Sequence, residues 1–482
     1  MVRTVRTVRT VRTVRTVRTV RTVRTVRTVT QPWLYHMVEY QRLLLTPFSL
    51  WAAGAANALA DPWGPLACVS GTRCFAAGYE LLHRLSKTYE KPAFGISEIE
   101  SEGLKIPVAE QRVLAKPFCD LLRFLPQPEP APMSAGRTKT RPVVLVCAPL
   151  AGHHAVLLRE LVETLLPSHE VYITDWRDAR NVPVADGPFH LDDYVSYIQM
   201  FIRHIGAENL HVLAVCQATV PTLAAVSLLA SEQEPTPRSL ILIGGPIDAR
   251  SGANAVNRFA ASQPLQWFRE SLIHSVPDHY PGAGRAVYPG FLQRAGLDAM
   301  HPGRLASSHW NYCLDMVQGD LKRAEAHQRS CEEYGAVLDM AAEYYLDTVQ
   351  TVFQEFRLAL GNWCVQGLPV RPQDIRATAL LTIEGELDDV SGRGQTHAAQ
   401  DLCAGIATRD KRGVTMQQCN HYDLFSGPHW QTDVYPIIRG LISQYDASYQ
   451  STMNKRDRAS LHSSTDTVPR SKVRRARHVP NP

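Results

Sequence analysis

The chain has 482 residues, 45% hydrophobic and 20% charged, so it can bury a large core in two or three structural units, or in one domain with an insertion. The net charge of +5 comes from the ends: residues 1–30 carry +9 and residues 451–482 carry +6, which leaves −10 on the body between them. An acidic body argues against a nucleic-acid groove, and ten cysteines without a CxxC pair, with no apolar signal segment, lead us to expect reduced thiols in a cytoplasm.

Residues 2–28 are nine copies of Val-Arg-Thr. A three-residue period suits neither a helix nor a strand. We expect a disordered tail over 1–30, from a tandem repeat read through as protein or an upstream start codon, with polyanion binding as the alternative. Residues 31–140 read as N-terminal helices (37–60 and 75–88), edge strands (104–115 and 118–125) and a Pro-rich loop (126–141).

From 141 the pattern becomes regular. Pro142–Pro149, Val171–Trp176, Leu210–Cys216, Leu240–Gly245 and Ala377–Ile383 are short, nearly all-apolar runs. Strands buried on both faces of a parallel sheet read this way. Helical patterns at Ala155–Leu166, Leu191–His204 and Val220–Ala230 alternate with them. The class is therefore α/β, with right-handed crossovers. Residues 141–248 form the first part of this core and 373–447 the second. Between them, 249–372 reads as a helical insertion, placed to form a lid. Residues 448–482 read as a disordered basic tail. The longest uncharged stretch, Asn209–Ser231, holds His211, Gln217 and Pro221 and fits a buried strand running into a buried helix, so no membrane span is expected.

Ala214-Val215-Cys216-Gln217-Ala218 ends one such strand and opens the next helix. A nucleophile at that junction sits on a sharp turn, and small residues two before and two after it let strand and helix approach. The usual pattern is G-x-S-x-G; here alanines flank a cysteine. The bland alternative is a structural Cys at a strand end. An elbow enzyme also needs an acid and then a base, in that order, after later strands. Gly385-Glu386-Leu387-Asp388-Asp389 follows the strand ending near Ile383, and its spacing favours Asp388 over Asp389. His421 follows the next strand-like stretch, Val414–Cys419, and is the expected base. Backbone N–H groups of Gln217 and of the loop bearing Leu150 and Ala151 are expected to form the oxyanion hole. Adjacent His153 and His154 lack any metal-ligand spacing, so neither a metal nor another cofactor is expected.

HVLAVCQATVP around Cys216, GGPIDAR at 244–250, EYYLDTVQTVFQEFRLA at 343–359, GELDDVSGRGQT at 385–396 and HYDLFSG at 421–427 together resemble the intracellular polyhydroxyalkanoate depolymerases, in their cysteine-nucleophile branch. The resemblance runs from about Trp33 to Tyr445. It implies an α/β-hydrolase fold and a Cys216–His421–Asp388 triad. It also implies hydrolysis of stored polyhydroxybutyrate at a cytoplasmic granule surface, and is compatible with a homo-oligomer. Polyhydroxyalkanoate synthases, which usually carry G-x-C-x-G at the elbow, and a non-catalytic granule-coat protein are the rival readings.

Overall fold

The structure is a computed structural model that describes residues 32–61, 63, 71–101, 103–127, 141–300 and 302–446. The Val-Arg-Thr repeat, most of the Pro-rich loop and the basic tail lie outside the described residues.

Two helices come first, α1 (Pro32–Ala60) and α2 (Thr72–Ser86). Three antiparallel strands follow: β1 (Glu98–Ser101), β2 (Leu104–Ala115) and β3 (Cys119–Pro126). The strand–helix alternation then begins with β4 (Val143–Cys147), α3 (Arg159–Leu165), β5 (Glu170–Trp176) and α4 (Leu191–Ile205). It continues with β6 (Leu210–Val215), α5 (Thr219–Ser231) and β7 (Ser239–Ile243).

The insertion holds α6 (Ala255–Ser262), α7 (Leu265–Leu272), β8 (His274–Ser275), β9 (Ala286–Tyr288) and α8 (Gly290–Met300). After these come α9 (Pro302–Gln318), α10 (Leu321–Gly335), β10 (Met340–Ala341), α11 (Ala342–Thr348) and a hairpin of β11 (Cys364–Val365) and β12 (Leu368–Pro369). The core resumes with β13 (Ala379–Gly385), α12 (Ala398–Leu402) and β14 (Lys411–Met416), and closes on helical residues 427–446.

The nine-stranded main sheet has the order β1-β2-β3-β5-β4-β6-β7-β13-β14. Its strands from β5 to β14 are parallel, and β3 joins β5 antiparallel. This is the parallel α/β sheet expected from the apolar runs, in the α/β-hydrolase arrangement that the resemblance implies. Every residue of β6, β7 and β13 is buried, because helices cover both faces. α4 buries Leu191, Tyr194, Val195, Ile198, Phe201 and Ile202, a stripe with helical spacing, and stops at Gly206, whose φ is 98°.

The insertion is less purely helical than its sequence suggests. β8, β9 and β10 form a small sheet, and β11 and β12 pair. Strands of two or three residues carry no readable alternation.

Two buried polar clusters tie the insertion to the rest. The Arg285 guanidinium donates to the carbonyls of Val182 and Gly187, both at 2.9 Å. Asp339 accepts from Gly290 N at 2.8 Å and from the Tyr35 hydroxyl at 2.6 Å, and its own N–H donates to Asp178 Oδ1 at 3.2 Å. Arg180 pairs with Asp178 at 2.9 Å. Burial, and then the charge of Asp339, raise the Asp178 pKa to about 7 despite Arg180.

Candidate active site

The backbone builds the site before any side chain does. β6 ends at Val215 and α5 begins at Thr219, so one tight turn, Cys216–Ala218, must reverse the chain. Cys216 takes φ 54°, a left-handed conformation rare for a residue with a side chain. Ala214 and Ala218 are both fully buried, which explains the need for small residues on either side. The Thr219 hydroxyl donates to the Cys216 carbonyl at 2.8 Å and holds the turn.

The double glycine after β7 supplies the clearance. A Cβ on Gly245 would stand 2.5 Å from the Cys216 carbonyl oxygen. A Cβ on Gly244, whose φ is +55°, would stand 3.3 Å from His421 Cε1 and 3.4 Å from Asp388 Oδ2. The Thr396 hydroxyl fixes this pair by accepting from Gly245 N at 2.8 Å and donating to its carbonyl at 3.0 Å. Sequence reasoning gave Gly244, Gly245, Thr219 and Thr396 no role. The available signal was a Gly-Gly pair directly after a buried strand.

Asp388 and His421 meet beside the elbow. Asp388 Oδ2 lies 2.8 Å from His421 Nδ1, and Oδ1 accepts from Val390 N at 2.9 Å and Ser391 N at 2.8 Å. Both side chains are buried, whereas Asp389 is exposed. Glu384 closes the Asp388 loop by accepting from Gly394 N and His397 N, each at 2.8 Å. With Nδ1 engaged by Asp388, the ring nitrogen that remains is Nε2, and Cys216 is close enough to act on the imidazole electrostatically. Burial by itself lowers the His421 pKa, but the neighbouring Cys216 and Asp388 outweigh it, and the pKa is raised well above the usual value.

A cavity of about 490 Å³ opens over Cys216. Ala151 and Gln217 line it, while Leu150 is packed into the core. The insertion supplies an apolar roof that includes Phe259, Phe268, Leu272, Tyr288, Tyr345 and Phe353. Trp267 packs behind Phe268, with ring centroids 5.2 Å apart. Tyr280 and Phe291 instead face α1, through Glu39 and Tyr35, and Trp310 is exposed on α9. His153 packs against Tyr334 with the rings tilted by 40° and their centroids 4.8 Å apart, and burial lowers the His154 pKa to about 3.

Such an arrangement can attack an ester carbonyl held in an apolar cavity. Residues 244–446 match the family described as PHB de-polymerase C-terminus. Among solved structures, the chain is similar to DcsB in complex with its substrate analogue, at 13% identity over 71% of this chain and 99% of that one (TM-score 0.41). It is also similar to the RedJ thioesterase of the prodiginine biosynthetic pathway of Streptomyces coelicolor, at 13% identity over 64% and 96% of the two chains (TM-score 0.36). A third such structure is the monoacylglycerol lipase of Paleococcus ferrophilus, at 13% identity over 63% and 96% (TM-score 0.38). Among curated proteins no sequence matches.

Proposed function

Because this chain is a carboxylic ester hydrolase that carries the PHB de-polymerase C-terminus, we propose that it hydrolyses stored poly(3-hydroxybutyrate) inside the cell, with Cys216 as nucleophile, His421 as acid and base, and Asp388 as orienter. The observation that carries this reading is the buried Asp388–His421 pair, 2.8 Å apart, beside the elbow on which Cys216 stands at the sheet edge.

Cys216 Sγ attacks a backbone ester carbonyl of the polymer and its proton passes to His421 Nε2. The tetrahedral oxyanion is held by the backbone N–H groups of Gln217 and Ala151, each donor of this kind being worth about 100–1,000-fold in rate. The C–O bond then breaks. His421 returns the proton to the departing 3-hydroxyl, and the acyl group stays on sulfur as a thioester. Water then loses a proton to His421 and attacks the thioester carbonyl, and the thiol leaves with that proton. Asp388 holds the imidazole in one tautomer throughout.

The apolar roof over Cys216 suits a single mobile polyester segment, so amorphous granules in the cytoplasm are the proposed substrate. The test is release of 3-hydroxybutyrate from amorphous granules and, at equal mass, from solvent-precipitated crystalline polymer. Fast release from the first alone is expected. Comparable rates on the two would contradict the reading. Polymer growth from 3-hydroxybutyryl-CoA would instead favour a synthase.

A further inference from the structure

We propose that the outer apolar face of α1 is the surface by which the enzyme docks on the polyester granule; the identity of that surface rests on the function proposed above.

The first observation is where the exposed apolar groups sit. Of the 22 large apolar side chains exposed among the described residues, 15 lie on α1, α2, the turn at Trp63, and α9 with α10. These helices form one annex, in which α2 packs between α1 and α9. Exposed apolar side chains gathered on one group of helices are a mark of interaction surfaces.

The second is the pattern on α1. Ser49, Ala52 and Ala56 are buried, on one side of the helix. Met37, Tyr40, Leu44, Phe48 and Trp51 recur every three or four residues on another, with Tyr40 64%, Leu44 61% and Trp51 55% exposed. The charges on this helix, Glu39 and Arg42, neutralise each other at 2.7 Å. The segment Leu34–Ala60 is apolar enough to enter a hydrocarbon phase, yet only 17% of its apolar window is buried.

The third is charge and position. The thirty residues that lead towards α1 carry nine arginines and no acid. Ester hydrolysis leaves carboxylate ends, so a polyester surface under digestion is anionic. An apolar face beside a polybasic stretch is the two-signal combination that holds a protein at such a boundary. α1 is also joined to the active site. Tyr35 bonds to Asp339, which bonds to the first residue of α8; Gln293 and Leu297 of α8 line the cavity, as does Met340, next to Asp339. A granule held on α1 therefore lies one helix from the cavity wall.

The test uses the full chain and amorphous poly(3-hydroxybutyrate) particles in a sedimentation assay. Leu44→Asp combined with Trp51→Asp should raise the particle concentration needed for half-binding about tenfold or more. Turnover of soluble p-nitrophenyl butyrate reports whether the cavity survives. In the wild-type chain, particles should slow amide hydrogen exchange over residues 37–51. Unchanged exchange there overturns the proposal whatever the variant does. So does a dimer held through α1 in solution, or tighter binding to phosphatidylglycerol vesicles than to particles. Particle binding through α1 by a chain that releases no 3-hydroxybutyrate would sink the hydrolase reading and leave the docking surface standing.

Discussion

Gly245 and Thr219 are fitted so closely that a Cβ on the glycine would overlap the threonine hydroxyl oxygen. That hydroxyl holds the Cys216 carbonyl, so the elbow is shaped from the neighbouring strand end as much as from its own sequence. Gly245→Ala should cost about 1–3 kcal/mol by overpacking. Displacing Cys216 by even ~1 Å should lower turnover about 100-fold. Denaturant unfolding and ester turnover measure the two effects. Full activity in the alanine variant would show that the turn has slack.

The proposed triad makes a graded prediction. Cys216→Ala and His421→Ala should abolish granule hydrolysis, and Asp388→Asn should lower kcat about 10³–10⁴-fold, because the tautomer is lost. Asp389→Asn, at an exposed carboxylate one residue on, should be mild. Equal losses at 388 and 389 would leave the orienting acid unassigned.

Alkylation by iodoacetamide should inactivate the enzyme, whereas reagents selective for activated serine should not. Cys74 and Cys364 are exposed and will also react. The decisive protein is therefore the Cys74→Ser, Cys364→Ser variant, which should be inactivated at the wild-type rate. Resistance in that variant would place the sensitive thiol elsewhere.

The buried Asp178–Asp339 pair predicts a pH dependence of stability. Burial and Asp339 raise Asp178 to about 7, whereas an unfolded aspartate titrates near about 4. The native state therefore holds the extra proton. The associated stability is full below about 4 and is lost as pH rises towards about 7. Asp339→Asn keeps an acceptor for Gly290 N and can donate to Tyr35, but removes the like charge. It should flatten the fall in unfolding free energy between pH 5 and 7.5; an unchanged slope would assign the titration to other groups.

Much of this site is legible in the sequence for a physical reason. Strands buried on both faces must be apolar throughout, so β4 to β7 and β13 announce themselves, and the elbow follows from the strand–helix junction at Cys216. The position of Asp388, three residues past Gly385, also survives in the spacing, and its contact with His421 is the outcome. What does not survive is anything set by the partner rather than the pattern. The clearance at Gly244 and Gly245 depends on what lies across from them. The apolar positions of α1 point to a helix, but not to the fact that one side of it stays uncovered. Paired strands as short as β8 and β10 leave no period to read.

The left-handed backbone at Cys216 sets stability against the proposed catalytic role within one residue. A side chain there costs about 1–3 kcal/mol that glycine does not incur. Cys216→Gly should therefore melt at a higher temperature than the wild type while hydrolysing nothing, and a lower melting temperature would show that the thiol's contacts outweigh the strain. Any search for sturdier variants guided by melting temperature alone would converge on discarding the proposed nucleophile, so such a screen has to score turnover alongside heat resistance.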